Sequence, residues 1–173
     1  MKRPLPYTIF LLTALLLMPL AVCAQTFDYQ TIMKFAQYVY WPENQQNDTF
    51  YIYIAAKDPA PLDIIEQSIN SQATFHNRPI AVKHYNDNTD ISLANIFFID
   101  NSAEISNNIL EEKLKKKQIL TLSNNKNLLN YGCMFFIEQK ETYIDYLFKK
   151  QAIIDSGLTI RTSLLHITHQ YQE

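Results

Sequence analysis

The chain has 173 residues, 15 Lys and Arg against 17 Asp and Glu, and only two glycines. A formal charge of −2 argues against a nucleic-acid surface, which calls for a basic face. Gly132 and Gly157 alone can build neither a phosphate-cradling loop nor a dinucleotide fingerprint.

Lys2 and Arg3 precede the apolar run Ile9–Leu17, Pro19 closes it, and Val22-Cys23-Ala24 supplies modest residues before Gln25. This is the pattern of a secretory signal peptide, with cleavage expected after Ala24. The run is shorter than the ~20 residues that a spanning helix needs. Two alternatives stay open. Leu20-Ala21-Val22-Cys23 has the form of a lipoprotein box with lipidation at Cys23, although Val22 is bulkier than the residue wanted there. The segment can also be retained as an uncleaved anchor. Cleavage leaves residues 25–173, expected as one α/β domain with 13 basic and 17 acidic side chains, a net charge near −4. Cys133 is then the one remaining cysteine, so stability must come from packing rather than a disulfide.

The spacing of Phe27, Ile32, Phe35, Tyr38 and Val39 predicts a helix over Phe27–Trp41, closed by Pro42. Phe50–Ala55 alternates as a strand does. Pro61 suits a first helical position, and Leu62, Ile65 and Ile69 follow at helical spacing. Arg78–Tyr85 and Asn95–Asp100 read as strands. Ser102 is expected to cap a helix whose apolar face is Ile105, Ile109, Leu110 and Leu114. The lysines at positions 113 and 115–117 suit the carboxyl end of that helix dipole. Gln118–Leu122 reads as a fourth strand, and Cys133–Glu138 with Glu141–Phe148 as a hairpin turning at Gln139-Lys140. A short helix, Lys149–Asp155, should stop near Gly157, and a last helix should run from Arg161 to about His169. Together these predict a three-layer α/β sandwich around a mixed, mostly parallel sheet with a late β-hairpin.

Catalytic patterns do not emerge. The chain has no Gly-x-Ser-x-Gly elbow, no His-Glu-x-x-His helix and no paired metal-binding cysteines. His166 and His169 sit three apart but lack a matching acidic or cysteine ligand. No cofactor, metal or catalytic residue is expected, and Cys133, inside an apolar run, is expected buried and inert. The sequon Asn47-Asp48-Thr49 is read as accidental.

Several segments together resemble the YfiR-type periplasmic regulators. Phe35-Ala36-Gln37-Tyr38-Val39-Tyr40-Trp41-Pro42 is similar to their helix-ending Phe-Ala-x-Phe-Val-x-Trp-Pro. Phe50–Ile54 with Asp58-Pro59, Asn77-Arg78-Pro79-Ile80, and Ile96–Ile99 with Ser102 resemble later family segments. So do Ile119-Leu120-Thr121-Leu122-Ser123 and Gly157-Leu158-Thr159-Ile160 with Leu164-Leu165. The departures are Cys133 for a glycine, Asn124 for an Asp, and Tyr146-Leu147-Phe148-Lys149, which lacks the family's Asn.

The resemblance implies a periplasmic inhibitor, not an enzyme, that binds the periplasmic part of an inner-membrane diguanylate cyclase. A histidine kinase could occupy the same slot, and an outer-membrane lipoprotein could sequester the regulator. A periplasmic small-ligand sensor or solute-binding domain is the alternative. Contact residues to test are Trp41, Arg78, Ser102 and Ser123. Each has a plain structural role beside the functional one: core packing for Trp41, a strand-edge surface arginine at Arg78, and helix capping at Ser102. If their strands are parallel neighbours, Ser102 and Ser123 share the sheet edge where α/β ligands bind. A twofold homodimer through Cys133–Ile137 is a further option, with core as the simpler role.

Overall fold

The computed structural model describes residues 30–42, 47–57, 62–63, 66–67, 74–114, 117–140 and 142–172. The expected signal segment and most of the expected helix over 61–69 lie outside the described residues. Leu62, Asp63, Glu66 and Gln67 are helical.

In chain order the strands are β1 (Val39–Tyr40), β2 (Phe50–Ala55), β3 (Thr74–Phe75), β4 (Arg78–His84) and β5 (Ile96–Ile99). They continue as β6 (Leu120–Ser123), β7 (Phe135–Gln139), β8 (Ile144–Phe148), β9 (Thr159–Ile160) and β10 (His169–Gln170). The helices are α1 (Gln30–Ala36), α2 (Asn107–Leu114), α3 (Lys150–Ser156) and α4 (Thr162–Ile167), with a 3-10 helix at Lys126–Tyr131.

Eight strands form one sheet in the order β10-β8-β7-β6-β5-β2-β4-β3. Strands β4, β2, β5, β6 and β7 run parallel, while β7–β8 and β3–β4 are antiparallel hairpins. Strands β5 and β6 are buried throughout, as expected of parallel strands covered on both faces. Alternation sorts their side chains into two cores. Phe50, Ile52, Ile54, Ile96, Phe98, Leu120 and Leu122 pack with Phe35 and Ala36 of α1, Ala152 of α3 and Leu164 of α4. Tyr53, Ala55, Phe97 and Ile99 face the other way, against Leu110 and Leu114 of α2 and Leu128 of the 3-10 helix. The molecule is therefore the three-layer sandwich around a mixed, mostly parallel sheet that the pattern predicts.

The element ends differ in instructive ways. Helix α1 stops at Ala36, where the Tyr38 amide turns back to the Phe35 carbonyl (3.0 Å), and Val39–Tyr40 becomes a strand. Its partner is β9, with Val39 opposite Ile160. The β-favouring run Tyr38-Val39-Tyr40-Trp41 finds there a ladder that helical continuation would forfeit. Likewise α4 ends at Ile167, and His169–Gln170 joins the sheet beside β8, so His166 and His169 do not share a helix face. Ser102 caps nothing: α2 begins at Asn107, with the Leu110 amide bonded to the Ser106 carbonyl (3.0 Å). The late hairpin turns one step beyond expectation. Gln139 is still strand, and the Lys140 amide donates to the Tyr143 carbonyl (2.8 Å). Strand β3 and the 3-10 helix have no counterpart in the periodicity. The former is joined to β4 through His76 and Asn77, both at positive φ as a tight hairpin turn requires. Gly157 stops α3 at φ 71, as its position suggests.

Cys133 is fully buried, and its thiol donates to the Phe135 carbonyl (3.4 Å). Burial pushes its pKa up to about 12. The thiolate needed for reactivity is suppressed, in keeping with an inert core residue.

Candidate functional site

The four candidate residues divide between opposite ends of the parallel strands. Trp41 and Arg78 come together at the amino ends of β2 and β4. The chain leaving β1 lays the Trp41 indole edge-on to Phe50 (centroids 5.4 Å apart, 89°) and to Phe75 (6.3 Å, 88°). Phe50 and Phe75 are 4.5 Å apart. The Arg78 guanidinium covers the Phe50 ring at 5.0 Å and donates through Nη1 to the Asn47 carbonyl (3.3 Å). Partial burial lowers its pKa from the usual arginine value, yet an arginine so high in range stays charged at neutral pH. Arg78 is thus half-buried on an aromatic face rather than a loose surface arginine.

Val39, Tyr40, Trp41, Phe75, His76 and Arg78 line a hollow of about 270 Å³ at this end. Tyr40 stands at its rim, 51% exposed. Arg161 clasps it, with Nε donating to the Tyr40 hydroxyl (2.7 Å) and Cζ lying 4.9 Å from the ring centre. The pairing of β1 with β9 delivers Arg161 here, and its amide donates to the Tyr38 carbonyl (2.8 Å). The indole Nε1 of Trp41 is buried with no hydrogen-bond partner among the described residues. The result is a surface of Tyr, Trp and two Arg, the residue types that dominate interface hot spots. Sequence reasoning missed Tyr40 and Arg161. Tyr40 had a signal, since it alternates with the buried Val39 in a β-favouring run. Arg161, paired across 121 residues, had none.

Ser102 and Ser123 lie at the carboxyl ends of β5 and β6, which are parallel neighbours with Ile99 opposite Ser123. They do share one sheet edge. The chain leaves β2 toward β4 on one side and leaves β5 toward β6 on the other, so β2 and β5 flank a topological switch point. A hollow of about 280 Å³ opens there, lined by Ala55, Lys57, Tyr85 and Glu104 among others. Both serines, however, are spent on the loops. Ser102 Oγ accepts from the Lys57 amide (3.2 Å), and Lys57 Nζ meets Glu104 (2.5 Å). That contact raises the Lys57 pKa and lowers that of Glu104. Ser123, wholly buried, donates to the Ile99 carbonyl (2.6 Å) and accepts from the Asn125 amide (2.9 Å). Asn124, the departure from the family's Asp, donates to Asp100 (2.9 Å) and accepts from the Asn101 amide (2.6 Å).

Among the described residues no three His, Cys, Asp or Glu side chains gather in a metal-binding group. No described helix is long and apolar enough to cross a membrane. A search of curated proteins finds no match. A family model described as YfiR/HmsC-like matches residues 26–169, a span that contains the sheet except Gln170 of β10, together with the aromatic and arginine surface and the serine edge. The chain belongs to the YfiR/HmsC-like family.

Proposed function

We propose that the protein is an exported, non-enzymatic regulator in the periplasm, of the kind that governs cyclic-di-GMP signalling. It docks through the Tyr40, Trp41, Arg78 and Arg161 surface on the periplasmic part of an inner-membrane signalling protein. A diguanylate cyclase is the first candidate and a histidine kinase the second. The observation that carries this reading is the aromatic and arginine cluster, with Tyr40 half exposed and two guanidinium groups already stacked on rings. Rings held this way lose little side-chain entropy on binding, and fixed guanidinium forks recognise carboxylates. Regulation then requires that the docked protein prefer one state of its partner over another. An outer-membrane lipoprotein that covered the same surface would release the partner.

The test is in-cell crosslinking of the tagged protein, followed by mass spectrometry of captured membrane proteins. One inner-membrane cyclase or kinase should dominate and should be lost with Tyr40→Ser combined with Arg161→Ala, both at surface positions. Capture that ignores this variant removes the site but keeps the regulator. Recovery of no specific partner, under conditions that capture a known periplasmic complex, overturns the reading in favour of a small-ligand sensor.

A further inference from the structure

A further cleft lies apart from both surfaces above. It holds about 420 Å³ at the amino ends of β6 and β7, between α2 on one face of the sheet and α3 on the other. That volume falls within the range of roughly 300–1,000 Å³ typical of small-molecule sites. We propose that this cleft binds an organic cation, a primary ammonium or guanidinium group on an apolar stem.

Three features lead there. The floor is apolar, built from Leu114, Leu129, Met134 and Ala152 where the two cores meet at the sheet edge. Opposite walls each present an exposed carboxylate, Glu111 from α2 and Asp155 from α3. Among the described residues neither carboxylate has an ion-pair partner, although Gln151 donates to one oxygen of Asp155 (2.8 Å). Among the described residues the cation lining the cleft is Lys149, whose ammonium lies 5.4 Å from the centre of the Tyr171 ring. Two carboxylates over an apolar floor favour a ligand with a cationic head and a greasy stem, since burying the stem and pairing the head are separate gains. Gly132 shapes the wall. At φ +95 it turns the chain beside Leu114, where an added Cβ would stand in ordinary contact with the Leu114 Cβ (3.6 Å).

The head group has two possible sources, a free amine or a lysine side chain of another protein. The site stands independently of the docking reading, because it is measured on the purified protein alone. The probes are hexylammonium, hexanoate as the anionic control, and a blocked Ala-Lys-Ala peptide, each titrated by calorimetry and amide chemical shifts. Hexylammonium should bind and shift the amides of Met134 and Ala152, and hexanoate should bind at least about tenfold more weakly. Glu111→Gln and Asp155→Asn should each weaken hexylammonium about fivefold to tenfold, while the far-ultraviolet spectrum stays unchanged. Tighter binding of the peptide than of the amine assigns the site to a partner's lysine, and the reverse order assigns it to a free amine. The proposal fails if no amine shifts those amides up to about 10 mM, a generous ceiling for so few heavy atoms. Equal affinity for hexanoate, or indifference to both substitutions, sinks it as well.

Discussion

Ser123 separates a binding role from a structural one, and Ser123→Ala decides between them. Its hydroxyl donates to the Ile99 carbonyl at 2.6 Å and accepts from the Asn125 amide at 2.9 Å, in a side chain with no exposure. Alanine removes both bonds without leaving room for water at the Ile99 carbonyl. A buried polar group left without its partner costs about 1–3 kcal/mol. Asn125 is only half-buried, so water recovers part of its loss. The net expectation is a destabilisation of about 2 kcal/mol. In a domain of this size that corresponds to a fall in Tm of roughly 4–8 °C. Urea unfolding followed by circular dichroism reads the change as a lower midpoint at constant m-value. Partner capture by the folded Ser123→Ala protein should be unchanged. A loss of capture with stability altered by less than about 0.5 kcal/mol would falsify the structural assignment, since that is the ordinary scatter of surface substitutions.

Two further predictions concern Cys133 and Gly157. Burial raises the Cys133 thiol from its ordinary 9.0 to about 12, so the folded protein holds this proton over a range where the unfolded chain has lost it. The stabilisation this proton gives is complete below pH 9 and drains away as the pH rises toward 12. Over that window the native protein should lose stability more steeply than Cys133→Ala, by up to about 1.4 kcal/mol per pH unit, as measured by urea midpoints. Alkylation of the thiol should proceed only at the rate of opening. Gly157→Ala leaves ordinary contact distance to Gln118 (3.8 Å) but puts a Cβ on a backbone at φ +71. It should cost about 1–2 kcal/mol in the same unfolding assay, and no loss would mean that α3 can end another way.

The strands were legible because their side chains obey a local rule. Phe50–Ala55 reads as a strand from alternation alone and is one. Ile96–Ile99 and Leu120–Ser123 read as short apolar runs, and both are buried on two faces. Gly157 marks a helix stop because few other residues tolerate its backbone angle. The chain segments that joined a distant partner were not legible. Tyr38–Trp41 carries a helical apolar face and a β-favouring run at once, and pairing with Thr159–Ile160 decides between them. The end of α4 yields to β8 for the same reason. Ser102 has the chemistry of a helix cap, but the amide it meets belongs to Lys57, 45 residues earlier.

The candidate site divides along the same line. Sequence by itself determined the layer architecture, the burial of Cys133 and the family, because periodicity, residue size and motif order are properties of the chain taken in succession. Only the tertiary structure decided that Trp41 and Arg78 share one surface, that Arg161 completes it across 121 residues, and that Ser102 and Ser123 are committed to holding loops. Hydrogen bonds and ring contacts between remote segments depend on where the sheet order brings strand ends together. A linear pattern names the residue type at each position but not the neighbour that will satisfy it.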